Sequence, residues 1–157
     1  MPAMRAGPLL LTGLAAVSAL MLVVWLLALR WRNAGIVDVA WAGGLALVGS
    51  LYAALGPGYP PRRGLAALLV GLWGLRLGWH LGRRIARHHP LEDGRYQQLR
   101  KEWAPVAKRK FLAFFLAQGL LDVLLSLPFL VAALNPAPRL HPLEWAGVGL
   151  WLIALAG

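Results

Sequence analysis

Long apolar runs separated by arginine pairs and proline-glycine clusters set the pattern of this chain. No charged residue stands between Ala6 and Leu29, and an α-helix needs about 20 apolar residues to cross the hydrocarbon core of a bilayer. The pattern predicts a first transmembrane helix over about 8–29. This run is too long for the apolar region of a signal peptide, and another membrane segment follows Arg30, so the helix is read as retained. A second run, 36–55, holds Asp38 as its only charge and is stopped by GPGYPP, Gly56 to Pro61, where proline removes donors and fixes φ. The third, 64–82, reads GLAALLVGLWGLRLGWHLG and carries Arg76 and His80. The fourth, 111–134, contains Asp122 and is closed by Asn135-Pro136-Ala137-Pro138. A fifth run over 143–157 rises about 22 Å as a helix, short of the roughly 30 Å core. The expectation is an all-α polytopic transmembrane helix bundle with four complete spans and an incomplete fifth, one domain over 1–157, read as a fragment because the sequence stops inside a helix.

Composition agrees with the pattern. Of 157 residues 59% are hydrophobic and 14% charged, and the mean hydropathy is +0.62, which excludes a soluble globular fold and an intrinsically disordered chain. The lack of cysteine excludes a disulfide scaffold. Sixteen Lys and Arg against six Asp and Glu give +10. In a soluble domain that balance suggests nucleic acid; here the partner is the lipid bilayer, with no role for nucleic acid. Nine of the sixteen lie between Arg83 and Lys110. Because Lys and Arg near helix ends stay on the cytoplasmic side, the loop 83–110 is expected in the cytoplasm, against anionic headgroups, and the N-terminus outside. Arg30 and Arg32 then join those nine inside, Arg5, Arg62, Arg63 and Arg139 lie outside, and Arg76 is in the membrane. Within the loop, Glu92-Asp93-Gly94 predicts a turn and Arg95 to Trp103 a short interfacial helix.

Candidate chemistry lies among ionisable residues within the spans. They are costly in lipid, so they usually face the bundle interior, pair with each other or line a polar cavity. Trp73, Arg76 and His80 fall at i, i+3 and i+7 on one face of the third helix, and Arg83 or Arg84 and Arg87 prolong this stripe. Asp38 and Trp41 share a face of the second helix. Two readings of Asp38 stand side by side: an ion pair with Arg76, or a charge favoured at a helix N-terminus. Arg76 is either a structural partner or a ligand contact, and His80 and Asp122 read more readily as structural. Gly71 with Gly74, and Gly78 with Gly82, predict close helix packing. The four histidines lack the spacing of a metal site, so no metal is expected, and there is no Walker loop, no GxSxG elbow and no GxGxxG after a strand.

Four segments in order, VDVAW (Val37 to Trp41), LWGLRLGWHLGRR (Leu72 to Arg84), EDGRYQQLRKEW (Glu92 to Trp103) and KFLAFFLAQGLLDVLLSLPFLV (Lys110 to Val131), resemble the N-terminal half of bacterial uncharacterised membrane proteins related to steroid 5-alpha-reductases. The resemblance implies a membrane oxidoreductase of the wider group that includes sterol reductases and isoprenylcysteine methyltransferases, in a bacterial inner membrane. It implies hydride transfer from NADPH to the β-carbon of a lipid-like enone while an acidic group protonates or polarises the carbonyl. Carried over by position, Asp38 matches the family's second-helix acid and is the candidate catalytic group. Arg76 matches its third-helix arginine, and Glu92, Asp93, Arg95 and Tyr96 its loop motif. Trp41, Trp73 and His80, which share helix faces with Asp38 and Arg76, are added to the candidate substrate or cofactor contacts on that spacing and not on the family motif. The Asp38 carboxyl could polarise a carbonyl if burial kept it protonated; pairing with Arg76 would remove that role. The family's C-terminal arginine-histidine-proline-asparagine-tyrosine-like cofactor stretch has no counterpart here, so this polypeptide alone is expected to bind NADPH poorly. The alternatives are a lipid or prenyl-thiol methyltransferase of the same wider group and a non-catalytic membrane scaffold or partner subunit. Substrate and oligomeric state are not legible in the sequence.

Overall fold

The computed structural model describes residues 5–156, and all its regular elements are helices. They are α1 Ala6–Trp31, α2 Ile36–Leu55, α3 Pro60–His88, α4 Gly94–Glu102, α5 Ala107–Leu125, α6 Leu127–Leu134 and α7 Pro142–Ala156. Four helical stretches are long and apolar enough to cross a membrane, with α5 and α6 together forming the fourth, while α7 is a shorter apolar helix. In lipid only closed backbone hydrogen bonding survives, which helices supply within each segment. This is an integral-membrane architecture of four spans and one shorter helix.

The third helix runs further than its apolar stretch. Pro60 and Pro61 occupy its first turn, where missing N–H groups have no helical partner to lose. It then continues past Gly82 through Arg83 to His88 and stops before Pro90, since the position preceding proline disfavours helix. The fourth span is broken at Ser126, which caps α5 and precedes Leu127-Pro128 at the start of α6.

The spans alternate in direction, and α2 is the central one, packing against α1, α3, α5 and α6. The α2–α3 contact depends on small residues. At Gly74 a Cβ would lie 2.6 Å from that of Ala46 and 2.8 Å from the Ala42 carbonyl oxygen, so only glycine permits this approach. The other predicted close-packing glycines behave differently: Gly71 and Gly82 face open space, and Gly78 meets only Val39 at 4.0 Å. Leu9, Val17, Met21, Val37, Val48, Tyr52 and Phe115 are buried at the α1–α2–α5 core. Asp122 lies there too, fully buried and without a hydrogen-bond partner for either oxygen.

The two ends differ in charge. Arg30, Arg32, the positive residues of 83–110 and α4 share one end, here the basic end, where the Trp25 indole donates to the Lys108 carbonyl at 3.1 Å and ties α1 to α5. At the far end Arg62 is buried in the first turn of α3. Its Nε lies 2.5 Å from Glu144 Oε1, and its terminal nitrogens donate to the carbonyls of Asn135, Ala137 and Arg139 at 3.2, 2.9 and 2.6 Å. This arginine, expected simply at an interface, instead anchors α7 and the connection before it.

Candidate functional site at the basic end

The site is built on the tight turn between α1 and α2. Arg32 ends α1 with φ 53, and the side chain of Asn33 accepts from the Gly35 N–H at 3.0 Å. Such a local bond is what asparagine offers a turn. Asp38 follows in the first turn of α2, at the level where the returning loop crosses.

That loop is ordered by its own carboxylates. Asp93 caps α4 by accepting from the Arg95 N–H at 3.0 Å, as an N-cap aspartate does. Glu92 reaches across to the α1–α2 turn: Oε1 accepts from the Ala34 N–H at 2.6 Å and from Arg100 Nη2 at 2.8 Å, while Oε2 accepts from Arg100 Nε at 3.0 Å. Asp38 makes the second connection. Its Oδ1 accepts from the Tyr96 phenol at 2.6 Å and its Oδ2 from Arg95 at 3.0 Å. Arg84, on α3, closes the ring by binding Asp93 at 2.6 Å.

Tyr96 is 2% exposed and packs against Phe111 and Phe114, with ring centroids 6.5 and 6.3 Å away. Burial, and then the hydrogen bond to the Asp38 carboxylate, push its phenol well above the ordinary value of 10.0. The side chain is therefore a permanent O–H donor to Asp38 at physiological pH.

Two hollows meet here. A chamber of about 320 Å³ with mixed walls is lined by Asn33, Gly35, Asp38, Arg84, Glu92 and Asp93 and by the apolar Leu81, Ile85 and Leu91, with His88 and Gln97 among the rest. An apolar groove of about 710 Å³ lies between the basic ends of α1 and α3 over α2, lined by Val24, Leu27, Trp31, Ile36, Val39 and Ile85 among others. Asn33 and Ile85 line both. The arrangement suits an amphiphile, because an apolar trough adjoins a chamber with hydrogen-bonding groups in its walls.

The structure thus brings Asp38, Glu92, Asp93, Arg95 and Tyr96 together. It does not bring Arg76 to them: the ion pair expected between Asp38 and Arg76 is replaced by Asp38 with Arg95. The reason is rotational, since α3 turns Gly74 toward α2 and leaves Arg76 and His80 on its exposed face. Trp41 and Trp73 meet edge to face at 5.9 Å in the α2–α3 interface, outside the chamber lining. Sequence reasoning missed Asn33, Arg84 and Arg100 as members of the network. The signal available was Asn33-Ala34-Gly35, a turn sequence beside an acid-bearing helix. No group of three or more potential metal ligands occurs among the described residues.

A family model, described as a protein of unknown function (DUF1295), matches residues 24–157. The chain belongs to the DUF1295 family. The match includes every residue of the chamber and both ends of the α3 stripe. No curated protein and no solved structure matches this DUF1295 chain.

Proposed function

We propose that this DUF1295 chain forms the substrate side of a steroid 5-alpha-reductase-like membrane oxidoreductase that saturates the C=C bond of a lipid-like enone at the expense of NADPH. The observation that carries the reading is that the apolar groove and the chamber around Asp38 lie side by side, with Asn33 and Ile85 as common walls. A tail lying in the groove brings a polar head to Asp38. Asp38 lines the chamber and Tyr96 does not, so Asp38 is the side chain that exchanges a proton with the carbonyl oxygen. Tyr96 and Arg95 are positioning residues that fix its two oxygens. Donation by Asp38 requires release of the Arg95 bond and a proton taken from solvent; hydride added at the β-carbon leaves an enolate whose oxygen receives that proton, and the enol then takes a solvent proton at the α-carbon as its O–H proton returns to Asp38.

The cofactor is a separate matter. A phosphate-rich dinucleotide needs converging cations and backbone N–H groups, whereas the chamber presents Asp38, Glu92 and Asp93 against Arg84, itself bound to Asp93. The chamber does not fit NADPH. It supplies the acceptor end of the proposed reaction and leaves the hydride donor to be held outside it.

The test is turnover of a conjugated enone lipid by the full-length protein in proteoliposomes with deuterated NADPH. Deuterium at the β-carbon, lost in Asp38→Asn, supports the reading. Turnover unaffected by Asp38→Asn removes the proton-transfer role, and methyl transfer from S-adenosylmethionine without enone reduction replaces the reductase by a methyltransferase.

A further inference from the structure

The exposed stripe of α3 takes no part in the chamber. Arg76, His80, Arg83 and Arg87 are spaced four, three and four residues apart, which places them within about 60° of arc at 3.6 residues per turn. All four are exposed. Among the described residues none of the three arginines forms an ion pair, in contrast to Arg62, Arg84, Arg95 and Arg100. They line a hollow of about 650 Å³ whose walls contain no acidic side chain.

Arg76 lies about 10 Å along the helix from Arg83, toward the bilayer centre. An arginine at that depth without a counter-charge is expensive in lipid unless an anion or water meets it. The stripe also adjoins an apolar groove of about 730 Å³ between α2 and α3, lined by Val39, Gly43, Leu72, Leu75, Gly78 and Trp79, with Arg76 and Trp79 shared by both hollows. The groove exists because glycines leave space: a Cβ on Gly43 would meet nothing within 4 Å. Trp79 lies 67% exposed at the junction, with the Arg83 guanidinium 5.2 Å from its ring centroid.

We propose that this face is a binding site for an anionic glycerophospholipid, its phosphate held by Arg76, His80 and Arg83 and one acyl chain lying in the α2–α3 groove. Charge complementarity selects the phosphate, and the shared wall of the two hollows selects a phosphate attached to a chain. A dinucleotide phosphate has the same anionic chemistry but no tail for the groove.

The experiment is native mass spectrometry of the full-length protein released from micelles containing equal phosphatidylglycerol and phosphatidylcholine, with and without NADPH. The wild type is expected to retain phosphatidylglycerol at least tenfold over phosphatidylcholine, with no displacement by NADPH. The double variant Arg76→Gln/Arg83→Gln should lose that preference. Gly43→Leu starts from a Cβ that meets nothing within 4 Å and projects into the groove; it should lower retention of phosphatidylglycerol at least fivefold. Equal retention of the two lipids by the wild type overturns the proposal, as does a preference that survives Arg76→Gln/Arg83→Gln. Displacement by NADPH would assign the stripe to a dinucleotide, and a dimer dissolved by the double variant would assign it to a second copy of the chain. Either outcome overturns the lipid site.

Discussion

Glu92 is the residue on which the order of the chamber's outer wall depends. Its side chain is 7% exposed, and it serves the Ala34 N–H and both faces of the Arg100 fork. In Glu92→Ala the Ala34 N–H, on a residue 1% exposed, loses a charged acceptor at 2.6 Å; a bond of that kind contributes about 1.5–3 kcal/mol. Arg100 is 38% exposed, so its freed guanidinium is rehydrated and the lost pair adds only about 0.5–1 kcal/mol. Together the loss is about 2–4 kcal/mol. It falls on the local opening of the segment that contains α4 rather than on the whole bundle, because α4 packs chiefly on α5 and is otherwise tied down by Asp38. At 1.4 kcal/mol per tenfold, exchange of the α4 amides should accelerate roughly 30- to 700-fold. Hydrogen exchange read by mass spectrometry in nanodiscs measures this directly. Glu102→Ala, which removes only an exposed contact with Gln98, provides the comparison and should change exchange less than about threefold. Acceleration in Glu92→Ala no greater than in Glu102→Ala would refute the pinning role.

Three further outcomes follow from the same geometry. Because the Tyr96 phenol is raised above its ordinary 10.0, its contribution to stability is fully present below that pH and is lost as pH rises beyond it; ultraviolet phenol titration compared between wild type and Tyr96→Phe should show that the variant lacks one late-ionising phenol. Gly74→Val forces a side chain against the Ala42 carbonyl and Ala46, and a loss of about 1–3 kcal/mol or more is expected from overpacking, read as a lower midpoint in denaturant, while Gly71→Val should be near neutral. Arg62→Met takes the donor from three carbonyls and leaves Glu144 only the His141 N–H, at about 1–3 kcal/mol; accelerated exchange over 135–145 is the sign, and unchanged exchange would show that α7 is held by other contacts.

The helices were legible because each span must satisfy its backbone internally, which makes long apolar runs nearly unambiguous. The turn at Glu92-Asp93-Gly94 and α4 as a short helix were equally readable from local chemistry, whereas the capping role of Asp93 came from the structure. Rotation about the helix axis was not. The stripe of Arg76 and His80 looked like an interior seam because polar groups in membranes commonly turn inward, yet the tightest small residue, Gly74, decides which face α3 gives to α2. The partner of Asp38 was lost for the same reason: Arg95 and Arg76 are equally suitable in type, and only the crossing of the loop over the α1–α2 turn selects Arg95. Arg62 offered no local signal, since its partners lie more than 70 residues away.

Photo-crosslinking of the full-length protein in nanodiscs bears most directly on the proposed amphiphile site. The probe is an enone lipid with a diazirine near the end of its tail, and the labelled residues are located by mass spectrometry. Label concentrated in α1 from Leu20 to Trp31 and in α3 from Gly82 to His88, suppressed by excess unlabelled enone, is the predicted result. Label spread evenly over the lipid-exposed faces of α5 and α7, or unaffected by competitor, would contradict a site where the groove meets Asp38.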